Sequence, residues 1–196
     1  MKAKTWVLAA LLCGLTAVPG AAATLTFVTS LKGSSEAPPN DSPATGSGKV
    51  TIDTVAATMA VAFEFDGLVG TLIAAHIHGP TAEPRTGTAG VMTQIPTFPG
   101  TPLGVTSGSY SNIFDMTDIA SYNPAFLSAQ GGSALSGFDA LIASITGGRA
   151  YLNLHSTEYP GGEIRGFLAP VPLPGAVWLM LAGVAALVAA GRRKMG

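Results

Sequence analysis

Alternation of apolar and polar residues with a period of two is the feature that most restricts how this chain can fold. In residues 59–65, Met59, Val61, Phe63 and Phe65 would share one face, while two alanines and a glutamate take the other. Successive side chains of an extended strand point to opposite faces, so the pattern predicts a strand with one buried side. Similar runs occur at residues 25–31, 49–53, 74–78, 90–95, 104–111, 149–155 and 163–168.

One segment departs from this alternation. Residues 133–146 carry apolar side chains at helical spacing and are followed by Gly147 and Gly148, which predicts a single short helix. The 25 glycines and 14 prolines mostly separate the candidate strands. Short strands with local turns and one helix predict an all-β domain, either a Greek-key sandwich or a barrel.

The N-terminus has the pattern of a secretory signal peptide over residues 1–23. Lys2 and Lys4 supply the positive start, residues 6–15 form an apolar core, and residues 21–23 are alanines suited to cleavage. The only cysteine, Cys13, lies inside this segment, so the exported domain at 24–169 would contain no disulfide and no thiol. It must be held together by its core or by a metal.

The C-terminal segment, residues 170–196, contains an uncharged apolar run at 175–191 followed by Arg192, Arg193 and Lys194. As a helix this run would be about 26 Å long, near the lower limit for crossing a bilayer, with the basic triplet on the cytoplasmic side. The sequence predicts a transmembrane helix that acts as a stop-transfer tail.

This tail resembles the bacterial PEP-CTERM sorting signals, in the variant that begins Val-Pro-Leu-Pro, which here occupies residues 171–174. The resemblance implies a Gram-negative bacterium, processing by an exosortase-type enzyme, and a destination at the cell surface or in the extracellular matrix. A plain membrane anchor is the alternative. Either one would keep the protein at the envelope, in the periplasm or at the surface.

Charge excludes one class of partner. Residues 24–170 contain five basic and eleven acidic residues, a net charge of −6 without the histidines. Such a surface would repel a phosphate backbone, so we expect no nucleic-acid partner.

The three histidines lie in two phrases, AHIHGP at 75–80 and YLNLHS at 151–156. On a strand His76 and His78 would project from the same face, with Cα atoms roughly 6.6 Å apart, which suits chelation of one ion. If the two strands are neighbours, His155 could supply a third nitrogen for copper or zinc, and ring nitrogens within roughly 4 Å of one another would favour a metal. The alternative is that these histidines face solvent or bond to loop backbone.

Four phrases follow one another along the chain: LKGSSEAPP at 31–39, AHIHGP at 75–80, GRAYLNLHS at 148–156 and YPGGEIRG at 159–166. Together they resemble the CHRD domain, a module first described in chordin, and their order and spacing agree with it over residues 24–169. Within the last phrase Glu163 and Arg165, two apart on a strand, can share a face and form an ion pair. We interpret that phrase as the structural start of a strand.

The histidine phrases also resemble the copper half of copper/zinc superoxide dismutase, which is a Greek-key barrel. This resemblance implies that His76, His78 and His155 are copper ligands. No further histidine is left to bridge to zinc, and no cysteine pair is left to brace a loop. Dismutase activity is therefore not expected from this chain.

Three hypotheses for the function follow, and the first two can hold together. The first is a surface- or matrix-sorted, non-enzymatic binding or structural module with envelope or matrix partners. The second is an extracytoplasmic metalloprotein that binds copper, or alternatively zinc, through His76, His78 and His155. A hydrolase is the weakest hypothesis, because the chain has no nucleophile-elbow triad and no close carboxylate pair.

Overall fold

The structure is a computed structural model that describes residues 24–171. It contains eight strands, two α-helices and two short 3-10 helices. The strands are β1 (Thr24–Lys32), β2 (Thr45–Asp53), β3 (Thr58–Asp66), β4 (Leu72–His78), β5 (Gly108–Asp115), β6 (Tyr151–Ser156), β7 (Ile164–Phe167) and β8 (Ala169–Pro170). The helices are α1 (Pro124–Ala129) and α2 (Ala134–Thr146), and the 3-10 turns are Gly33–Ser35 and Ile119–Ser121.

All eight strands belong to one antiparallel sheet in the order β4-β6-β7-β1-β2-β3-β5, with β8 paired to β1. The sheet curls into a half-barrel around its apolar face. The all-β prediction is thus confirmed in its coarse form, as a mostly β domain. The architecture is a single curled sheet, and it carries a short second helix, α1, besides the predicted one.

The core forms on the concave side of this sheet. The alternation predicted for residues 59–65 is present in β3, where Met59, Val61, Phe63 and Phe65 are all buried. Phe63 stacks on Tyr110 of the neighbouring β5, with ring centroids 4.9 Å apart. Burial of these large side chains is the main favourable contribution to folding in a domain without disulfides.

Helix α2 packs against the core of the sheet. Ser133 and Ser136 form a reciprocal capping box at its start, and Gly147 and Gly148 end it, as the sequence predicts. Its apolar stripe buries Phe138, Leu141 and Ile145. These side chains belong to the same core cluster as the buried face of the sheet.

Two predicted strands differ from the structure. Residues 90–95 form only isolated bridges, His78 with Val91 and Thr93 with Tyr122. The strand predicted at 104–111 begins later, at Gly108, because Gly104 adopts a positive φ of 82° and residues 104–106 bond instead to Leu68 and Leu72. The long connection from β4 to β5 consequently runs as a loop along the sheet edge and covers part of one face.

No helix within residues 24–171 is long and apolar enough to cross a membrane. The predicted signal peptide at 1–23 and the predicted transmembrane helix at 175–191 lie outside the described residues. Both stay predictions from the sequence.

Candidate metal centre

The histidine phrases lie on neighbouring strands. Strand β4 pairs with β6 so that His76 is opposite Asn153 and His78 is opposite Tyr151. Two residues further along β6, His155 is opposite Ala74. These polar side chains therefore share one face of the sheet, while the intervening Ala75, Ile77, Leu152 and Leu154 pack in the core. The condition left open by the sequence, that the two strands be neighbours, is met.

The three imidazoles converge. One ring nitrogen from each of His76, His78 and His155 lies within 4.8 Å of the other two, and the ring centroids are 5.3 to 5.7 Å apart. The shortest approach is between Nε2 of His78 and Nε2 of His155, at 3.4 Å. Nitrogen ligands bound to one ion at about 2.0–2.1 Å are roughly 3.3–3.6 Å apart. The pair formed by His78 and His155 has this separation and meets the expected limit of roughly 4 Å, while the pairs with His76 lie within 4.8 Å.

Each imidazole is oriented by a main-chain carbonyl. His76 Nε2 donates to the carbonyl of Pro96 at 2.7 Å, and the Nδ1 atoms of His78 and His155 donate to the carbonyls of Ala89 and Pro160, both at 3.0 Å. A carbonyl oxygen only accepts, so the proton of each neutral ring must be on the nitrogen that faces it. The opposite nitrogens, Nδ1 of His76 and Nε2 of the other two, are left with free lone pairs.

These lone pairs are not satisfied by the protein. Nδ1 of His76 is buried without a hydrogen-bond partner among the described residues. The Nε2 atoms of His78 and His155 face each other, and with both neighbouring nitrogens protonated neither has a proton to give. Two acceptors opposed at 3.4 Å repel unless a cation lies close to both.

A proton does not readily serve as that cation at neutral pH. Burial lowers the pKa of His76 and of His78 to about 4, against the stabilising effect of the carbonyl bonds, and burial also lowers the pKa of His155. Each of the three side chains is less than a tenth exposed. The cluster is therefore neutral near pH 7, the form in which imidazole binds metals.

A search of protein-family models matches the CHRD domain over residues 27–168. The chain belongs to the CHRD domain family. No curated protein and no solved structure gave a significant match. The histidine cluster is thus a feature of a CHRD domain, and its chemistry has to be argued from its own geometry.

Tyr151 supports the cluster of this CHRD domain from one side. Its ring stacks on His78 with centroids 5.0 Å apart and an interplanar angle of 9°. Its hydroxyl accepts from the amide of Ala89 at 3.2 Å, which holds the residue whose carbonyl orients His78. The Arg165 guanidinium lies 4.6 Å from the same ring.

The predicted ion pair between Glu163 and Arg165 is wrong. Glu163 is fully buried, and its carboxylate accepts from the hydroxyl of Ser42 and the amide of Val69, both at 2.6 Å, and from Gly70 N at 3.4 Å. Its partners are therefore loop groups, and the carboxylate ties two connections to the start of β7. The interpretation of this phrase as a structural strand start agrees with these contacts.

Arg165 pairs elsewhere. Its Nε donates to the carbonyl of Ser35 at 2.5 Å and lies 3.7 Å from Oε2 of Glu36. Glu36 belongs to the LKGSSEAPP phrase at 31–39, but it is far from Arg165 in the sequence, and no residue pattern indicates that the two meet. The carbonyls of Ala89, Pro96 and Pro160 were missed for a different reason, because main-chain acceptors leave no residue-type signal.

Proposed function

We propose that this protein is an exported, surface- or matrix-sorted CHRD module without enzymatic activity, and that His76, His78 and His155 bind one copper ion in it. The observation that carries the metal proposal is the pair of opposed Nε2 lone pairs of His78 and His155 at 3.4 Å, with a ring nitrogen of His76 within 4.8 Å and the Nδ1 of His76 buried without a partner. A metal ion accepts all three lone pairs at once.

The donor set favours copper over zinc. Three neutral imidazoles suit both ions, but for a given nitrogen site copper(II) binds more tightly than zinc in the usual order of divalent metals. Three ligands leave a position open for water or another small ligand. Zinc is the alternative that the titration below separates from copper.

The chain's composition supports binding rather than dismutation. It has three histidines in total, all in the cluster, and its one cysteine is Cys13. A histidine-bridged second metal and a bracing disulfide in the domain therefore cannot be built from this chain. Holding one ion requires neither.

The test is a titration of the purified full-length protein with copper(I), copper(II) and zinc against competing chelators. We expect one tightly bound copper per chain and, for copper(II), electron paramagnetic resonance with nitrogen couplings from imidazole. Replacing His76, His78 and His155 by Gln should abolish both signals. The matched control replaces Asp115 and Asp118 by Asn, which removes two carboxylates outside the cluster and should change neither.

A folded wild-type protein that binds no copper or zinc stoichiometrically would refute the metal proposal. Equal loss of copper in the histidine variant and the aspartate control would do the same, because it would indicate scattered surface binding. Tighter stoichiometric binding of zinc than of copper would replace copper by zinc in the same site.

A further inference from the structure

A second site lies on the β7 side of Tyr151, away from the histidines. A cavity of about 410 Å³ opens there between strand β1 and three other segments, residues 35–37, 85–87 and 165–167. Strand order places His78 on β4 and Arg165 on β7 on either side of Tyr151 in β6. The cavity is therefore separated from the metal ligands by the Tyr151 ring.

Arg165 presents unused hydrogen-bond donors to this cavity. Its side chain is 4% exposed, and Nε is bonded to the carbonyl of Ser35. Among residues 24–171, neither of its Nη atoms has a hydrogen-bond partner. Tyr151 and Phe167 lie 4.6 and 5.8 Å from the guanidinium carbon and restrain the group in place. A buried cation with free N–H groups is stabilised strongly by an anionic partner.

Arg85 is a second arginine in the lining of the same cavity. Its backbone has a φ of 60°, which is uncommon for a residue with a Cβ, and its amide donates to the carbonyl of Gly148 at 2.8 Å. A few residues on, Ala89 is bonded to the Tyr151 hydroxyl. The loop that carries Arg85 is therefore pinned to the start of β6.

The charge of the cavity is opposite to that of the domain. Residues 24–171 contain five basic and eleven acidic residues, yet two of the five basic ones line this single cavity. Glu36 is the one acidic residue in its lining. Burial raises the pKa of Glu36 to about 7, with Arg165 opposing, so near neutral pH its charge offsets the two guanidiniums only in part.

We propose that this cavity binds an oxoanion, held between the guanidiniums of Arg85 and Arg165. The planar fork of arginine matches carboxylate and phosphate oxygens in a two-bond geometry. The cavity volume falls in the range of small-molecule sites, so it has room for an anionic group together with part of the molecule that carries it. An acidic sugar and free phosphate both supply this chemistry, and the experiment distinguishes them.

The experiment is calorimetric titration of the metal-free, full-length protein with sodium glucuronate and, separately, with inorganic phosphate at constant ionic strength. We expect saturable binding of one anion per chain. Replacing Arg85 by Gln should weaken it about tenfold, because one charge-assisted contact is lost from an exposed loop that does not carry the core. Arg165→Lys keeps the charge but loses the fork, and should weaken binding as well.

The matched control is Lys49→Gln, which removes one positive charge from the exposed face of β2, outside this cavity. It should leave the anion affinity unchanged. Stronger binding of glucuronate would assign the site to an acidic sugar, and stronger binding of phosphate to phosphate. The proposal is overturned if the folded wild type gives no saturable binding of either anion, or if Lys49→Gln weakens binding as much as Arg85→Gln. Because the protein is metal-free throughout, failure here is separate from failure of the copper proposal.

Discussion

Each imidazole of the cluster is fixed at one nitrogen and free at the other. The carbonyls of Ala89, Pro96 and Pro160 select the tautomer, and burial keeps the rings neutral. A partner on the outer nitrogen both orients an imidazole and raises its basicity toward a metal. At the scale of single residues the protein itself therefore orients the three rings, as the proposed metal site requires.

The buried carboxylate of Glu163 gives a prediction at this scale. Replacing Glu163 by Ala leaves the amide of Val69 and the hydroxyl of Ser42 without their acceptor, and should lower the free energy of unfolding by about 3 kcal/mol or more. Urea denaturation measures the change. Glu64→Ala, on the exposed face of β3, is the control and should cost less than about 1 kcal/mol. Equal losses in the two variants would contradict the anchoring role of Glu163.

At the scale of elements, one face of β4, β6 and β7 is polar yet buried. It carries the histidines, Asn153, Tyr151 and Arg165, and every residue of β6 is buried. The loops that supply the orienting carbonyls cover this face, and so does the turn before β7. The backbone of this turn lies close to the buried polar side chains at Gly162. A Cβ atom added there would lie only 2.6 Å from Asn153 Nδ2 and 2.8 Å from Glu36 Oε1.

The two adjacent glycines of that turn provide a matched pair of variants. Gly162→Ala should destabilise the domain by about 3 kcal/mol or more, since the position has a φ of 134° and no room for a methyl group. Gly161→Ala should cost less than about 1 kcal/mol, because a Cβ there meets nothing within 4 Å. Thermal unfolding of both variants tests this, and similar losses at 161 and 162 would contradict the close approach.

Elements whose apolar residues recur at a regular spacing could be predicted from the sequence. Elements whose conformation depends on tertiary contacts could not. The alternation in β3 and the capped helix α2 carry their own local signals. Residues 90–95 alternate as well, but they bond to α1's N-cap, Asn123, and to β4, which leaves them as a loop. Helix α1, six residues long, is too short for a periodic signal.

The candidate site likewise has a part that the sequence could predict and a part that it could not. The spacing of His76 and His78 predicted a shared face, and the resemblance to the copper half of copper/zinc superoxide dismutase placed His155 in the same set. The orienting carbonyls and the contact between Glu36 and Arg165 depend on loop paths, which no pattern of residue types encodes. The Glu163–Arg165 pairing was wrong because spacing along a strand does not reveal what packs above each side chain.

At the scale of the whole molecule, the buried histidines should make the metal-free domain sensitive to acid. The pKa of His76 and of His78 is about 4 in the folded state against 6.5 in the unfolded chain, so below pH 6.5 the unfolded state binds protons that the folded state does not. The free energy of unfolding therefore decreases as the pH is lowered from 6.5. Near pH 4 the loss approaches about 3 kcal/mol for each of the two histidines. Glu36, with a pKa raised from 4.5 to about 7, acts in the opposite direction and gains stability on acidification through that window.

Urea denaturation between pH 7.5 and 4.5 separates these contributions. The wild type should lose stability more steeply below pH 6.5 than the variant with all three histidines replaced by Gln, while both keep the Glu36 contribution. Parallel pH profiles would show that the histidines titrate normally in the folded protein. Stoichiometric copper should stabilise the wild type at pH 7.5, with release of the metal as the pH falls.

The proposed export predicts a defined N-terminus. Mature protein recovered from the envelope should begin at Thr24, as found by N-terminal sequencing. If the tail is a membrane anchor, replacing Arg192, Arg193 and Lys194 by Gln should weaken retention at the membrane, because positive residues would hold such a tail on the cytoplasmic side. An envelope-associated protein that retains residues 1–23 would contradict the predicted cleavage.

The carbonyls that orient the imidazoles have one more consequence. Since they belong to the main chain, no side-chain substitution at Ala89, Pro96 or Pro160 deletes these acceptors, whereas the support from the Tyr151 ring and hydroxyl can be lost by a point mutation. Ala89 in particular contributes only backbone atoms to the support of the cluster. Sequence drift in these loops is therefore compatible with an unchanged centre as long as the backbone path is kept, and the cluster is most vulnerable to insertions, deletions and changes of loop length.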